Sequence, residues 1–146
     1  MSILSKACVY GIRAALYVSA QDRDREFVPI RQIADELNIS FHFLTKILQQ
    51  LTEGDLMKSY RGPNGGVSLA KPSHQITVLS VVEVIDGAGV FKDCILGLEG
   101  CGAQKPCPLH HAWSKERKQL ESLFAGTTLK DLAAGFNLGR VRLTDQ

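Results

Sequence analysis

Ile30-Arg31-Gln32-Ile33-Ala34-Asp35-Glu36-Leu37-Asn38-Ile39-Ser40-Phe41-His42-Phe43-Leu44-Thr45-Lys46-Ile47-Leu48-Gln49-Gln50-Leu51 is the stretch on which the fold turns. Pro29 precedes it, at the start of a helix where proline is tolerated, and a short helix is predicted over Ile30–Leu37. Asn38-Ile39-Ser40 makes a turn, and Ser40 is a good N-cap for a second helix over 41–52. In that helix Leu44, Ile47, Leu48 and Leu51 share one stripe at helical spacing. His42, Thr45, Lys46, Gln49 and Gln50 take the open side. Two short helices joined by a tight turn are the outline of a helix-turn-helix.

The flanks extend this outline. Gly54 ends the second helix, and 56–60 and 66–70 read as two short strands around Arg61-Gly62-Pro63-Asn64-Gly65-Gly66. Asn-Gly is a strong hairpin signal, so the expected fold is mainly α with a small β-hairpin wing. Upstream, 5–20 reads as a helix with Ala7, Tyr10, Ala14 and Tyr17 on one face and Cys8, Ile12, Ala15 and Leu16 on another. A helix apolar nearly all round is buried on most sides, which in so short a chain predicts cover from a second subunit. Asp22 to Glu26 reads as a charged turn.

Downstream of Lys71-Pro72, Thr77 caps an apolar helix over 78–85, and Asp86-Gly87-Ala88-Gly89 breaks it. A longer helix follows over 108–124. Its stripe of Leu109, Trp113, Leu120, Leu123 and Phe124 is too exposed for the little core left to it; the dimerisation role given to this helix is what the family resemblance described below implies. Thr128-Leu129-Lys130-Asp131 resembles a capping box for a last short helix. The expected units are therefore a winged helix-turn-helix over 1–76, a linking helix and loop over 77–107, the dimerisation helix and short terminal helix over 108–135, and a flexible tail over 136–146.

The chain has 146 residues, 45% hydrophobic and 22% charged, with a formal net charge of +2. That suits one ordinary domain with a local nucleic-acid patch, though the charge does not itself argue for one. No apolar run approaches the roughly 20 residues that span a bilayer, and no signal peptide is apparent. The expected setting is cytoplasmic, with no membrane partner.

The chemistry concentrates in Cys94-Ile-Leu-Gly-Leu-Glu-Gly-Cys101-Gly-Ala-Gln-Lys-Pro-Cys107-Pro-Leu-His110. In a reducing compartment clustered cysteines more often bind metal or do redox work than form disulfides. Three thiolates and an imidazole suit tetrahedral zinc. Zinc knuckles, however, pair cysteines two to four residues apart, whereas six and five residues separate these. The wider sweep is better suited to an iron–sulfur cluster. An enzyme is disfavoured, since no acid–base pair, nucleophile motif or close redox pair of cysteines is present.

A helix-turn-helix reads the major groove with residues near the start of its second helix. These are Ser40, His42, Phe43 and Lys46, with Arg61, Gly62 and Asn64 on the wing; Arg61 suits a minor groove. The plainer readings are a cap for Ser40, core for Phe43, and a solvated face for His42, Lys46 and Arg61.

Together these features resemble the winged-helix regulators of the IscR/NsrR/CymR type, the Rrf-two family. The matching residues are Tyr10-Gly11-Ile12-Arg13-Ala14, Ile33-Ala34, Leu37-Asn38-Ile39-Ser40, Leu44, Leu48-Gln49-Gln50-Leu51 and Arg61-Gly62-Pro63-Asn64-Gly65-Gly66-Val67. The three cysteines with Pro108-Leu109-His110 and Ala112-Trp113 complete them, from about Leu4 to Leu132.

The resemblance implies a homodimer on double-stranded operator DNA, its long helix crossing the symmetry mate and its first helix packing on the partner. It also implies an iron–sulfur cluster on Cys94, Cys101 and Cys107, with 2Fe–2S ahead of 4Fe–4S, which senses redox, nitric oxide or iron–sulfur status. Some members lack these cysteines and bind no cluster. The fourth ligand is open between His110, Cys8 from the other subunit, and an unidentified group. In the nitric-oxide sensor of the family an acidic residue of the first helix reaches the partner's cluster, but its place here is taken by Val9, one residue from Cys8. A structural zinc site and a cluster-free thiol sensor are the alternatives.

Overall fold

A computed structural model describes residues 3–21, 26–102, 104–137 and 139–145. The charged turn expected at Asp22 to Glu26 lies, apart from Glu26, outside the described residues. The elements in order are α1 (Lys6–Ala20), α2 (Ile30–Leu37), α3 (Phe41–Glu53), β1 (Met57–Tyr60), β2 (Gly66–Leu69), α4 (Val78–Asp86), α5 (His110–Ala125) and α6 (Leu129–Asn137). Short 3-10 turns occupy Ser73–Gln75 and Ala88–Phe91. Among the described residues no helix is long and apolar enough to cross a membrane.

Local chemistry sets most of these boundaries. Ser5 caps α1 by accepting from the Cys8 N–H at 3.0 Å, and Ser40 caps α3 by accepting from the Phe43 N–H at 3.5 Å. Asn38 enters the left-handed region at φ 53° and stops α2, a conformation its short polar side chain tolerates. Thr77 accepts from the Ser80 N–H at 3.1 Å to start α4. At α6 the Thr128 hydroxyl accepts from the Asp131 N–H at 3.1 Å, while the Asp131 carboxylate accepts from the Thr128 N–H at 3.0 Å. That reciprocal pair is a capping box.

The wing is an antiparallel pair with Met57 opposite Leu69 and Tyr60 opposite Gly66. Its tip is not a two-residue Asn-Gly turn. The Gly65 N–H bonds the Gly62 carbonyl at 2.9 Å, so Pro63 and Asn64 are the central pair, because proline presets the first central φ of such a turn. Val28 adds a bridge to Val67 through paired bonds of 2.8 and 2.9 Å. A Cβ on Gly66, at φ 152°, would strike the Val28 carbonyl.

The core has two centres. The larger gathers Ile33, Leu44, Ile47, Leu48, Leu51, Val67, Ile76, Val81 and Leu129. The smaller holds Cys8, Val78, Val82 and Phe91, with Leu120, Phe124 and Leu132 packed onto it. Helix α1 runs between them and packs on α2, α3, α4 and α6. This corrects the expectation that its apolar surround needs a second subunit: Cys8, Ala14, Ala15, Leu16, Tyr17 and Val18 are all buried by their own chain. Helix α6, grouped with α5 in the sequence, packs instead on α1. Leu143 in the segment expected to be loose returns to the larger core.

One further link closes the base of the α4–α5 region. Thr77 and Thr128 form an isolated antiparallel bridge, with the Val78 N–H on the Thr127 carbonyl and the Leu129 N–H on the Ile76 carbonyl, each at 2.9 Å.

Candidate metal centre and nucleic-acid surface

A glycine-bearing loop leads from the smaller core to α5. Gly97 and Gly100 hold φ at 73° and 68°, conformations that favour glycine. They stand in a loop where the Gly97 N–H bonds the Cys94 carbonyl at 2.9 Å and the Leu98 and Leu96 backbone N–H groups act on the Cys94 thiol. Those two donors, with smaller help from the Cys107 and Cys101 thiols, hold the Cys94 thiol below the usual thiol range against the effect of its burial. Cys107 moves the other way, pushed up first by burial and then by its contact with Cys94. The loop therefore brings all three thiols into mutual range, and the first to ionise resists ionisation of its neighbours. A bound cation reverses that order and draws every thiol to thiolate.

His110 opens α5 beside them. Its Nδ1 lies 3.4 Å from the Cys101 Sγ, and its N–H bonds the Cys107 carbonyl at 3.0 Å. His111 is exposed and meets His110 edge to face with ring centroids 5.3 Å apart. Among the described residues no three His, Cys, Asp or Glu side chains converge on one point as ligands of a single ion do. The donor set nevertheless fits a cluster, whose several irons spread the ligands over a wider arc than one ion would. Backbone N–H groups that lower the Cys94 thiol are the kind of donors that tune such centres when the sulfur is a ligand.

Cys8 stands apart from this group. It is fully buried within the smaller core. Its thiol is pushed up to about 12, first by burial, then by the charge of Asp86 and a hydrogen bond to it. Asp86 also accepts from the Ser5 N–H at 2.8 Å and from the Ser5 hydroxyl.

On the opposite part of the chain, Ser40, His42, Lys46, Gln49 and Gln50 are exposed along α3. Arg61, Gly62 and Asn64 are exposed at the wing tip. Phe43 differs: it is half-buried against the larger core and meets Tyr10 edge to face at 5.7 Å. Between α2, α3 and the wing lies an open groove of about 650 Å3, lined in part by Arg31, Phe41, Thr45, Tyr60 and Arg61.

The family model described as an iron-dependent transcriptional regulator, Rrf2, matches residues 4–135. The chain belongs to the Rrf2 family. This Rrf2 chain is 36% identical over 132 residues to a candidate HTH-type transcriptional regulator of Aquifex aeolicus (strain VF5), covering 89% of this chain and 90% of that one. It is 30% identical over 123 residues to the HTH-type transcriptional regulator IscR of Yersinia pseudotuberculosis, covering 84% and 74%. The structure of CymR (YrzC), the global cysteine regulator of B. subtilis, matches with a TM-score of 0.75 at 25% identity, covering 92% and 98%. The protein is accordingly a transcription regulator of winged-helix fold and not an enzyme.

Two groups of residues in this Rrf2 chain escape a reading by sequence. The first is Arg31, whose guanidinium sits 4.4 Å from the Phe41 ring centroid, and Tyr60, 57% exposed and stacked on Phe27 at 5.4 Å. Both line the groove beside the expected DNA face. The second is on α5. Trp113 donates through Nε1 to the Asp93 carbonyl at 3.2 Å. Arg117 donates to the Lys92 carbonyl at 2.7 Å and the Asp93 carbonyl at 3.0 Å. A charged residue on a helix reads as solvated, and only the return of the loop gives Arg117 its partners.

The stripe of α5 divides. Leu120 and Phe124 are half-buried on the smaller core, Phe124 edge to face with Phe91 at 5.8 Å. Leu109 and Leu123 stay 46% and 59% exposed.

Proposed function

We propose that this protein is a homodimeric DNA-binding regulator that senses redox, nitric oxide or iron–sulfur status through a cluster held by Cys94, Cys101, Cys107 and His110. The observation that carries this reading is the gathering of three thiols and the His110 imidazole at the start of α5, with Nδ1 at 3.4 Å from the Cys101 sulfur. A ligand thiol must deprotonate, and Cys94 is held ready to do so while Cys8 is held against it. His110 is favoured over Cys8 as fourth ligand because its ring already stands at the Cys101 sulfur, whereas Cys8 is packed in the smaller core, and an imidazole in the set favours 2Fe–2S over 4Fe–4S. When bound, the cluster would supply one-electron chemistry and a reactive target for small oxidants.

The protein's own residues do the rest. Ser40, His42 and Lys46 would meet base edges or phosphates of one half-site, and Arg61, Gly62 and Asn64 would follow the adjacent groove. Phe43 is assigned to support of α3 rather than to base contact. Leu109 and Leu123, with the exposed parts of Trp113, Leu120 and Phe124, would form the dimer seam. Displacement of the cysteine loop would turn α5 and so the spacing of the two reading heads. A tenfold change in occupancy needs only about 1.4 kcal/mol.

The test is anaerobic reconstitution with iron and sulfide counts and an absorbance spectrum, followed by mobility shifts of holo and apo protein on an operator selected from a random pool. Iron and sulfide with operator affinity that differs between the two forms supports the reading. Equal affinity would sink the sensing role, and zinc without iron or sulfide would replace the cluster by a structural site.

A further inference from the structure

We infer that Arg117 is the positioning residue of the cysteine loop: it clamps the loop to α5 and sets a fixed positive charge against Cys101. This rests on the cluster reading for the charge but not for the clamp. His110, Trp113, Ser114 and Arg117 recur at helical spacing, so they share one face of α5, and the polar tips of all but Ser114 reach the loop. The Arg117 Nη1 donates at 2.7 Å to the Lys92 carbonyl and at 3.0 Å to the Asp93 carbonyl. The same nitrogen lies 3.7 Å from the Cys101 Sγ, while Nη2 reaches the Ser114 hydroxyl at 3.4 Å.

The geometry joins two points of the loop that are far apart in sequence. Lys92 and Asp93 immediately precede Cys94, so Arg117 fixes the approach to the first cysteine. The Cys101 sulfur is bracketed by His110 and Arg117, which stand about 10 Å apart along the helix axis. Both contacts come from a regular helix, and a site supported on a helix is held more rigidly than one supported by loop alone. A guanidinium suits this because Nη1 meets the loop while Nη2 is braced on Ser114 of its own helix, a fixed two-armed geometry that a single ammonium nitrogen on a flexible stem does not keep. Arg117 is half-buried, so its charge is less screened than that of a free surface arginine.

Two consequences follow from chemistry alone. A cation beside a ligand sulfur favours the more negative state of the centre, so Arg117 raises its reduction potential. Removing the fork leaves the approach to Cys94 held to α5 by Trp113 alone and Cys101 by His110 alone, so their backbone opens more often.

The experiment uses the full chain with Arg117→Gln and Arg117→Lys, in two arms. In metal-free reduced protein, hydrogen exchange of amides 92–102 is expected to rise roughly tenfold in both variants, since neither keeps the fork. In reconstituted protein, Arg117→Gln is expected to shift the oxidised-to-reduced ratio at fixed potential about tenfold toward oxidised, ~59 mV for a one-electron couple. Iron and sulfide content should be unchanged, and Arg117→Lys should recover most of the shift. Unaltered exchange overturns the clamp. An unaltered potential in Arg117→Gln overturns the charge role. Wild-type protein that takes up no iron and sulfide would refute the cluster reading and the charge role with it, leaving the exchange arm to decide the clamp.

Discussion

Replacing Cys8 by alanine separates a buried core thiol from a metal ligand. Cys8 is fully buried, and its thiol stands at about 12 against an ordinary 9.0. The folded-state value is raised, so the folded protein keeps a proton that the unfolded chain loses. The stability this thiol contributes is complete below pH 9 and declines as pH rises toward 12. Between pH 9 and pH 10 the unfolded thiol goes from half to mostly ionised, which lowers stability by about 1 kcal/mol. Alanine cannot ionise and lacks this decline. At pH 7 it should cost about 1 kcal/mol in lost burial and residual void. Urea unfolding of reduced, metal-free wild type and Cys8→Ala at pH 7, 9 and 10 measures both quantities. Comparing the two proteins cancels the other tyrosines, lysines and thiols. A wild type that loses no more stability than Cys8→Ala between pH 9 and 10 would refute the burial argument. Loss of cluster absorbance in reconstituted Cys8→Ala would show that the thiol is a ligand after all.

Lys46→Ala and Arg61→Ala should each weaken operator binding by about 1–3 kcal/mol in mobility shifts, with cluster absorbance unchanged; a lost spectrum would mean these residues are misplaced. Leu123→Glu puts a charge on the most exposed large apolar residue of α5 and should move the protein to monomer on a sizing column, while an unchanged elution volume would remove Leu123 from the seam. Gly66→Ala drives a methyl into the Val28 carbonyl at φ 152° and should destabilise by about 2 kcal/mol or more. Stability within 0.5 kcal/mol of wild type, roughly the scatter of surface substitutions, would disprove that close approach.

The reading head was legible because its determinants are local. The stripe Leu44, Ile47, Leu48 and Leu51 is buried residue for residue, and Ser40, Thr77 and the Thr128–Asp131 box sit where cap chemistry requires. What covers α1 was not legible, since periodicity reports how much of a helix is apolar and not which neighbour supplies the cover. The tip of the wing went to Pro63-Asn64 because a preset φ outweighs a dipeptide preference. In the candidate site the cysteine spacing announced soft ligands, but the fall of the Cys94 thiol depends on the Leu98 and Leu96 amides, and the rise of Cys107 on burial and its contact with Cys94. Likewise burial and then Asp86, both set by tertiary packing, hold Cys8 protonated.

The bridge between Thr77 and Thr128 has a mechanical meaning. Everything from α4 through the cysteines to the end of α5 lies between the two sides of this bridge. Ile76 and Leu129, the residues just outside it, are almost wholly enclosed in the larger core. The two legs of the excursion are not held alike. Helix α4 is keyed into α1 and α3, with Val81 inside the larger core, whereas α5 leans on α4 and on the turn at Ala88–Phe91. A strain set at the cysteines would therefore reach α3 by way of α4, the stiffer leg, with α5 the one free to give.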